Sequence, residues 1–163
     1  MRIIGIDPGL QVCGYAVVDT HSGAETLIEA GAIRTSGSGQ LGKRLDQIAH
    51  DIDSLIERFS PGIAAVERLY SHYAHPETAI LMGHARGVIL QRFTHAAVEL
   101  RDFAATRIKK SLTGNGRATK EQMQRTVQAV LALSAPPEPN DVADAIAVAL
   151  CCSNEISCNL SAG

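Results

Sequence analysis

The chain has 163 residues, of which 45% are hydrophobic, and its formal net charge is −2 at pH 7. This length is enough for one sizeable core and too short for two independent domains. Charged or polar residues interrupt every apolar stretch before the roughly 20 residues that a membrane-spanning helix needs, which argues against an integral membrane protein. The first residues lack the long apolar core of a secretory signal, so we expect a cytoplasmic protein.

The first third of the chain predicts strands and then a helix. Three short segments rich in β-forming residues are predicted as strands, at residues 2–6, 14–19 and 26–33. Their short connections favour antiparallel pairing. From Leu41 to Phe59, apolar residues recur at steps of three and four, which predicts an amphipathic helix that Pro61 and Gly62 end.

The rest of the chain predicts strands that are reached through crossover helices. Strands are predicted at residues 63–66 and 97–102, and helices at residues 78–93, at residues 119–133 and from Asn140 or Asp141 onwards. The order indicates an α/β fold with a mixed five-stranded sheet, three antiparallel strands and then two parallel ones, flanked by helices. We expect one domain over residues 1–157 and a short C-terminal tail over residues 158–163.

Two carboxylates end predicted strands. Asp7 closes the first strand before Pro8-Gly9, and Glu67 closes the fourth strand after an apolar run. A crossover helix returns the chain parallel to the first strand, so the two side chains should lie together. Neighbouring carboxylates repel each other unless a cation lies between them, and Mg²⁺ is the natural choice. A simple turn role for Asp7 is the alternative.

Two more carboxylates begin the last predicted helix. Asp141 and Asp144 are three residues apart, which places both on one helix face. Capping of the helix by Asp141, with Asp144 placed favourably near the positive end of the helix dipole, is the alternative. If the pair arrives beside Asp7 and Glu67, it completes an all-oxygen site for hard divalent cations.

Other candidate ligands are weaker. Asp102 ends the fifth strand and is a rival carboxylate. His72 and His75 are three residues apart, but no further His or Cys at matching spacing supports a transition-metal site. His84 is expected to pack or to face solvent. The cysteines fit neither a disulfide framework nor a zinc site, so we expect ordinary thiols: Cys13, Cys151, Cys152 and Cys158.

One stretch of the chain is strongly basic although the whole is slightly acidic. Residues 107–125 hold six Lys or Arg residues and a single acid, Glu121. Such a segment can meet phosphates, and a solvated helical face is the alternative. Thr113-Gly114-Asn115-Gly116 would let backbone N–H groups approach phosphates, unless it is an ordinary flexible turn.

Five segments resemble, in order and approximate spacing, the motifs of the RuvC family of Holliday-junction resolvases, which are ribonuclease H-like nucleases. The segments are IIGIDPGLQVCGYAVV, AAVERLY, GHARGV, IKKSLTGNGRATKEQMQ and NDVADAIAVAL. The resemblance implies that Asp7, Glu67, Asp141 and Asp144 form an acidic tetrad. It also implies two Mg²⁺ ions per subunit about 4 Å apart, bridged by Asp7, with Mn²⁺ as a substitute.

The resemblance further implies roles for residues outside the tetrad. Lys120 would aid charge stabilisation at the cut and Lys109 would position the DNA strand. Tyr70 would stack on bases at the junction centre, with Tyr73 as a second candidate. The second helix would form a symmetric homodimer, and its burial within a single monomer is the alternative.

The implied activity is structure-selective cutting of four-way DNA junctions by paired symmetric nicks, with 5′-phosphate and 3′-hydroxyl products, in recombination and repair. The family also implies a branch-migration motor complex as partner. One rival is an actin-like nucleotide phosphotransferase, whose two duplicated domains this chain has no room for. Another is a ribonuclease H-like protein that cuts RNA–DNA hybrids or only binds nucleic acid. Four clustered acids would repel phosphates in a binding module without metal.

Overall fold

The computed structural model describes residues 1–21, 24–69 and 76–161, and this part of the chain forms five strands and five helices. The strands are β1 (Arg2–Asp7), β2 (Val12–His21), β3 (Ala24–Arg34), β4 (Ile63–Glu67) and β5 (Glu99–Phe103). The helices are α1 (Leu41–Phe59), α2 (Pro76–His95), α3 (Ala105–Thr113), α4 (Lys120–Val130) and α5 (Asn140–Ser161).

The strands form one mixed sheet in the order β3-β2-β1-β4-β5. β1 pairs antiparallel with β2, and β2 pairs antiparallel with β3. β4 lies parallel to β1, and β5 lies parallel to β4. The predicted architecture is therefore confirmed: hairpin-linked strands pair antiparallel, and strands reached through crossover helices pair parallel.

Helices cover both faces of the sheet. On one face, Ile4, Ile6 and Val66 pack with buried residues of α1 and α2. On the other face, Ile3, Ile63 and Phe103 pack with buried residues of α3, α4 and α5. Successive side chains of a strand alternate between the two faces, so each buried strand supplies both apolar layers.

The middle of α5 is enclosed between the sheet and the two shorter helices, and its residues from Ala145 to Ser153 are all buried. Glycines in the sheet allow this helix to lie very close. A Cβ atom on Gly5 would stand 2.2 Å from the carbonyl oxygen of Ala145, and one on Gly14 would stand 2.0 Å from that of Asp141. Neither position has room for any side chain.

Helix α3 is absent from the sequence prediction, which left residues 103–118 without a helix. The helix has nine residues and a single buried residue, Ile108, so its apolar repeat is too short to detect by periodicity. It ends at Gly114, which adopts a left-handed φ of 75° and donates its N–H to the Lys110 carbonyl.

The C-terminal helix continues to Ser161, so the predicted boundary between residues 157 and 158 falls inside α5. Among the helices of the described residues, none combines the length and the apolar character that crossing a membrane requires.

Candidate functional site

Asp7 and Glu67 lie side by side at the edge of the sheet where β1 and β4 end. Ile6 is paired in register with Val66, so the next residue on each parallel strand is one of the two acids. Gly5 and Ala65, two positions earlier, face α5, and alternation along the strands places both carboxylates on that same face. The prediction that a crossover brings the two together agrees with this register.

The first turn of α5 supplies the other two acids. Asp141 and Asp144 are both half-buried. The carbonyl of Asp141 rests against Gly14, and Gly14 is the partner of Asp7 in the β1–β2 register. The close packing of α5 on this glycine thus holds the start of the helix beside Asp7. Gln124 of α4 donates its amide to the Asn140 side chain at 2.8 Å, which ties the helix start from its other side.

Two lysines approach the acids from α3 and α4. Lys109 is half-buried on α3, and Lys120 is the first residue of α4. A capping box fixes the start of α4: the Gln122 N–H donates to Thr119 Oγ1 at 3.2 Å, and the Thr119 N–H donates to Gln122 Oε1 at 2.9 Å. This cap determines where the α4 backbone presents Lys120.

All four acids and both lysines line one cavity of about 420 Å³, together with Asn140 and apolar residues of α3, α4 and α5. Four carboxylates against two ammonium groups leave a formal excess of two negative charges. The sequence prediction named these six residues. The cavity attracts cations, and it lies where a phosphate could also meet the lysines.

Asp7 and Glu67 have pKa values far above the ordinary range of a carboxylate. Burial, with the charges of Glu67, Asp144 and Asp141, raises the pKa of Asp7 to about 8. Burial and the Asp144 charge raise the pKa of Glu67 to about 7, although both lysines oppose the shift. Burial also raises the pKa of Asp144. This is the electrostatic cost of grouping acids without a cation among them.

The donor set suits hard divalent cations, because every candidate ligand is a carboxylate oxygen. Within residues 1–21, 24–69 and 76–161, however, no three His, Cys, Asp or Glu side chains converge into a ready-made metal cage. An open arrangement of this kind fits Mg²⁺, which usually keeps several waters and binds one or two carboxylates together with substrate phosphates.

Asp102, the rival ligand, lies on the opposite face of the sheet. It is paired with Val66, whose side chain packs with α1 and α2, and it forms an ion pair with Arg86 of α2 at 2.5 Å. It does not line the acidic cavity.

Of the remaining candidates that the structure describes, none lines the acidic cavity. His84 is exposed. Cys13 is buried, which raises the pKa of its thiol to about 12, and Cys151 and Cys152 are also buried, whereas Cys158 is exposed. Tyr70, His72, Tyr73 and His75 lie outside the described residues.

The turn after α3 uses its backbone N–H groups internally. Gly114 donates to the Lys110 carbonyl, Asn115 donates to Thr113 Oγ1, and Arg117 donates to Asn115 Oδ1. Because these N–H groups already have acceptors within the turn, they are not free to bind the phosphate that the sequence suggested for residues 113–116. The segment acts instead as a helix C-cap and connector.

Sequence reasoning missed the residues that bring the acids together. Gly5 and Gly14 carry no functional group, and a strand glycine is equally typical of a bulge or a weak strand. Their positions were the available signal. Gly5 lies two residues before Asp7, and Gly14 lies opposite Asp7 in the hairpin of β1 and β2. Lys109 was named, but the helix that presents it was not.

Known proteins resemble this chain over most of its length. The family model described as "Crossover junction endodeoxyribonuclease RuvC" matches residues 3–152. A curated protein of that name from Rhodopirellula baltica is 46% identical over 149 residues, which cover 91% of this chain and 84% of the relative. Another, from Heliobacterium modesticaldum, is 37% identical over 157 residues and covers 96% of both chains.

A solved structure shares the fold over nearly its whole length. The structure described as "T. thermophilus RuvC in complex with Holliday junction substrate" superposes with a TM-score of 0.91 at 29% sequence identity. The match covers 98% of this chain and 96% of that one. With the family model matching most of its residues, this chain belongs to the RuvC family of crossover junction endodeoxyribonucleases.

Proposed function

We propose that this protein is a metal-dependent endodeoxyribonuclease that resolves four-way DNA junctions by paired symmetric nicks, in recombination and repair. One observation carries the proposal. Asp7, Glu67, Asp141 and Asp144, with Lys109 and Lys120, line a single cavity in a chain of the RuvC family. The substrate follows from the relatives: one is described in complex with a Holliday junction.

The acidic tetrad is proposed to hold two Mg²⁺ ions per subunit, with Mn²⁺ able to substitute. Bound there, the two cations would activate a water for attack on the scissile phosphate and stabilise the departing 3′ oxygen. The tetrad fits this role because it offers only carboxylate oxygens and carries an excess of negative charge. The raised pKa values of Asp7 and Glu67 mean that cation binding will release protons at neutral pH.

The chain's own residues orient the strand for the cut. Lys109 and Lys120 approach the cavity from α3 and α4, opposite the strand ends that carry Asp7 and Glu67. We assign Lys120 to stabilisation of negative charge at the scissile phosphate and Lys109 to holding the strand. Cleavage on the 3′-oxygen side of the phosphate leaves 5′-phosphate and 3′-hydroxyl ends.

The function is tested by cleavage of a mobile four-way junction in parallel with linear duplex, RNA–DNA hybrid and flap substrates in Mg²⁺. We expect preferential, symmetric nicking of the junction, with products that a DNA ligase can reseal because they carry 5′-phosphates. The Asp7→Asn protein is the negative control. Preferential cutting of hybrids would contradict the junction assignment.

The lysines provide a prediction with an exposed lysine of α3 as the control. Lys120→Met should lower kcat for junction cleavage about 100-fold, because it removes charge stabilisation at the reacting phosphate. Lys109→Met should act mainly on junction affinity. Lys110→Met is the control, since Lys110 is exposed and does not line the cavity. Equal kcat values for the Lys120→Met and Lys110→Met proteins would contradict the role of Lys120.

A symmetric homodimer through α2 is part of the proposal. One face of this helix is exposed in the single chain, with Ile80 61% exposed and Gly83, His84 and Gly87 exposed beside it. Complete burial of the helix within a monomer is therefore not observed. Exposed glycines at four-residue spacing weaken an isolated helix, and a close helix partner would offset that cost.

The dimer is tested by substituting Gly87, where an added Cβ meets no atom within 4 Å in the single chain. Gly87→Leu should shift the protein toward monomer in sedimentation measured over a range of concentrations, because the larger side chain separates the paired helices. Gly42→Leu on α1 is the control, since Gly42 is also exposed and equally open. An unchanged dimer in the Gly87→Leu protein would contradict this interface.

Three further predictions stay predictions. Tyr70, proposed to stack on bases at the junction centre, lies outside the described residues. A branch-migration motor complex is proposed as partner on the strength of the family alone. A cytoplasmic location is expected for an enzyme that acts on chromosomal DNA.

A further inference from the structure

A second cavity of about 430 Å³ adjoins the acidic site. It shares Asp7 and Asp141 with the first cavity, but its other walls come from the opposite side of the sheet. These walls are the loop over residues 8–12, Arg44 of α1, and Leu81 and Met82 of α2. Cavities thus open on both sides of the same carboxylates.

Arg44 is fixed at the wall of this second cavity by a chain of hydrogen bonds whose acceptors are uncharged. Its Nε donates to Thr35 Oγ1 at 3.0 Å, and that hydroxyl donates to the Leu10 carbonyl at 2.5 Å. The chain joins the guanidinium to the loop that follows Asp7. Among the residues that the structure describes, only Nε of the Arg44 guanidinium forms a hydrogen bond, which leaves the two Nη groups for another acceptor.

Six of the eleven arginines form an ion pair within the described residues, and among the other five Arg44 alone is half-buried. Arg58, Arg86, Arg92 and Arg101 each form an ion pair with an Asp or Glu. Within the described residues, no carboxylate lies within ion-pair distance of Arg44, although the side chain is half-buried. A half-buried and oriented guanidinium without a carboxylate is well suited to bind a phosphate.

A cation at this wall would reduce the repulsion between the DNA phosphates and the carboxylates of the site. A DNA strand that crosses Asp7 and Asp141 brings its phosphates toward like charges, and cations on both sides reduce that repulsion. Lys109 and Lys120 line only the first cavity. In the second cavity, Arg44 is the basic residue among the lining residues described.

We infer that Arg44 is a positioning residue for the cleaved strand: it binds a phosphate next to the scissile one, on the side opposite Lys109 and Lys120. The apolar side chains of Leu81, which is 39% exposed, and Met82 contact the adjoining sugar and base. The strand is then held by cations on both sides of the acids. This inference rests on the proposed function and adds a subsite to it.

The test is equilibrium binding of four-way junction DNA in EDTA, measured at a series of salt concentrations. Arg44→Gln should reduce the slope of log K against log salt by about one counterion for each chain that contacts the DNA. Affinity at low salt should fall roughly tenfold. Arg44→Lys should restore the slope, because the slope counts charges. Lys43→Gln is the matched control, since Lys43 is exposed on the same helix and does not line the cavity.

A salt slope that is the same for the Arg44→Gln and wild-type proteins overturns the inference. If the wild-type protein binds junction and linear duplex equally well, the proposed function fails, and the slope comparison is read on duplex. If Arg44→Gln does not fold, Leu81→Glu tests the same subsite from its other wall. It should weaken binding far more than Leu81→Gln, and equal effects of the two also overturn the inference.

Discussion

Replacing Asp7 with asparagine should abolish junction cleavage and, at the same time, stabilise the metal-free protein. Activity should fall by about 1000-fold or more, because the substitution removes the carboxylate that is proposed to bind both cations. Stability should rise because asparagine fills the same space without the burial cost of a charge. Single-turnover cleavage in Mg²⁺ and urea unfolding in EDTA measure the two effects.

The stability gain should depend on pH in a defined direction. The pKa of Asp7 is raised from 3.8 to about 8 in the folded chain, so the folded state holds a proton that the unfolded state has released. The Asp7 contribution to stability is therefore lost progressively as pH rises from about 4 through 8. The difference between the Asp7→Asn and wild-type proteins should be near zero at pH 4 and reach a few kcal/mol above pH 8.

Adding Mg²⁺ should reverse the order of stability. Cations that bind only the folded state stabilise the wild-type protein by mass action, and the Asp7→Asn protein lacks a ligand for them. Asp102→Asn is the control, since Asp102 lies one residue before the end of β5 in the same sheet but outside the cavity. A wild-type protein whose stability in EDTA does not change between pH 5 and 8 would contradict the crowding of these acids.

Adding a single methyl group at Gly14 should damage the site without touching any ligand. The new Cβ would stand 2.0 Å from the carbonyl oxygen of Asp141, which is backbone and cannot rotate away. The start of α5 must then move, and Asp141 and Asp144 move with it. We expect Gly14→Ala to cost about 1–3 kcal/mol of stability and to lower cleavage by more than the loss of folded protein explains.

Gly5→Ala separates the loss of stability from the loss of cleavage. Its Cβ would meet the Ala145 carbonyl at 2.2 Å and the Ala149 N at 2.7 Å, farther along the helix than the acids. It should destabilise the protein comparably while displacing the ligands less. Gly62→Ala is the control, because its nearest contact would be ordinary at 3.9 Å. If Gly14→Ala retained wild-type kcat under conditions in which it is fully folded, this account of the site would be wrong.

The sheet could be predicted because its signals are local. Short connections between the first strands allow only antiparallel pairing, and the long amphipathic helix from Leu41 to Phe59 forces a crossover, as observed. Helix α3 could not be predicted in the same way. Its nine residues, with Ile108 as the one buried side chain, give too short an apolar repeat to recognise, and the helix is stabilised by packing against α5 and α4.

The sequence by itself determined which groups this protein has for chemistry: carboxylates at strand ends and at a helix start, and lysines in a basic segment. Their order and motifs also indicated the family. Only the tertiary structure decided which groups share a cavity, because that depends on how closely α5 can approach β1 and β2. Gly5 and Gly14 allow that approach, which places Asp141 beside Asp7. Asp102, one residue before the end of β5, turns to the other face of the sheet. The physical reason is that the pairing register of a strand and the packing distance of a helix are set by residues far away in the chain.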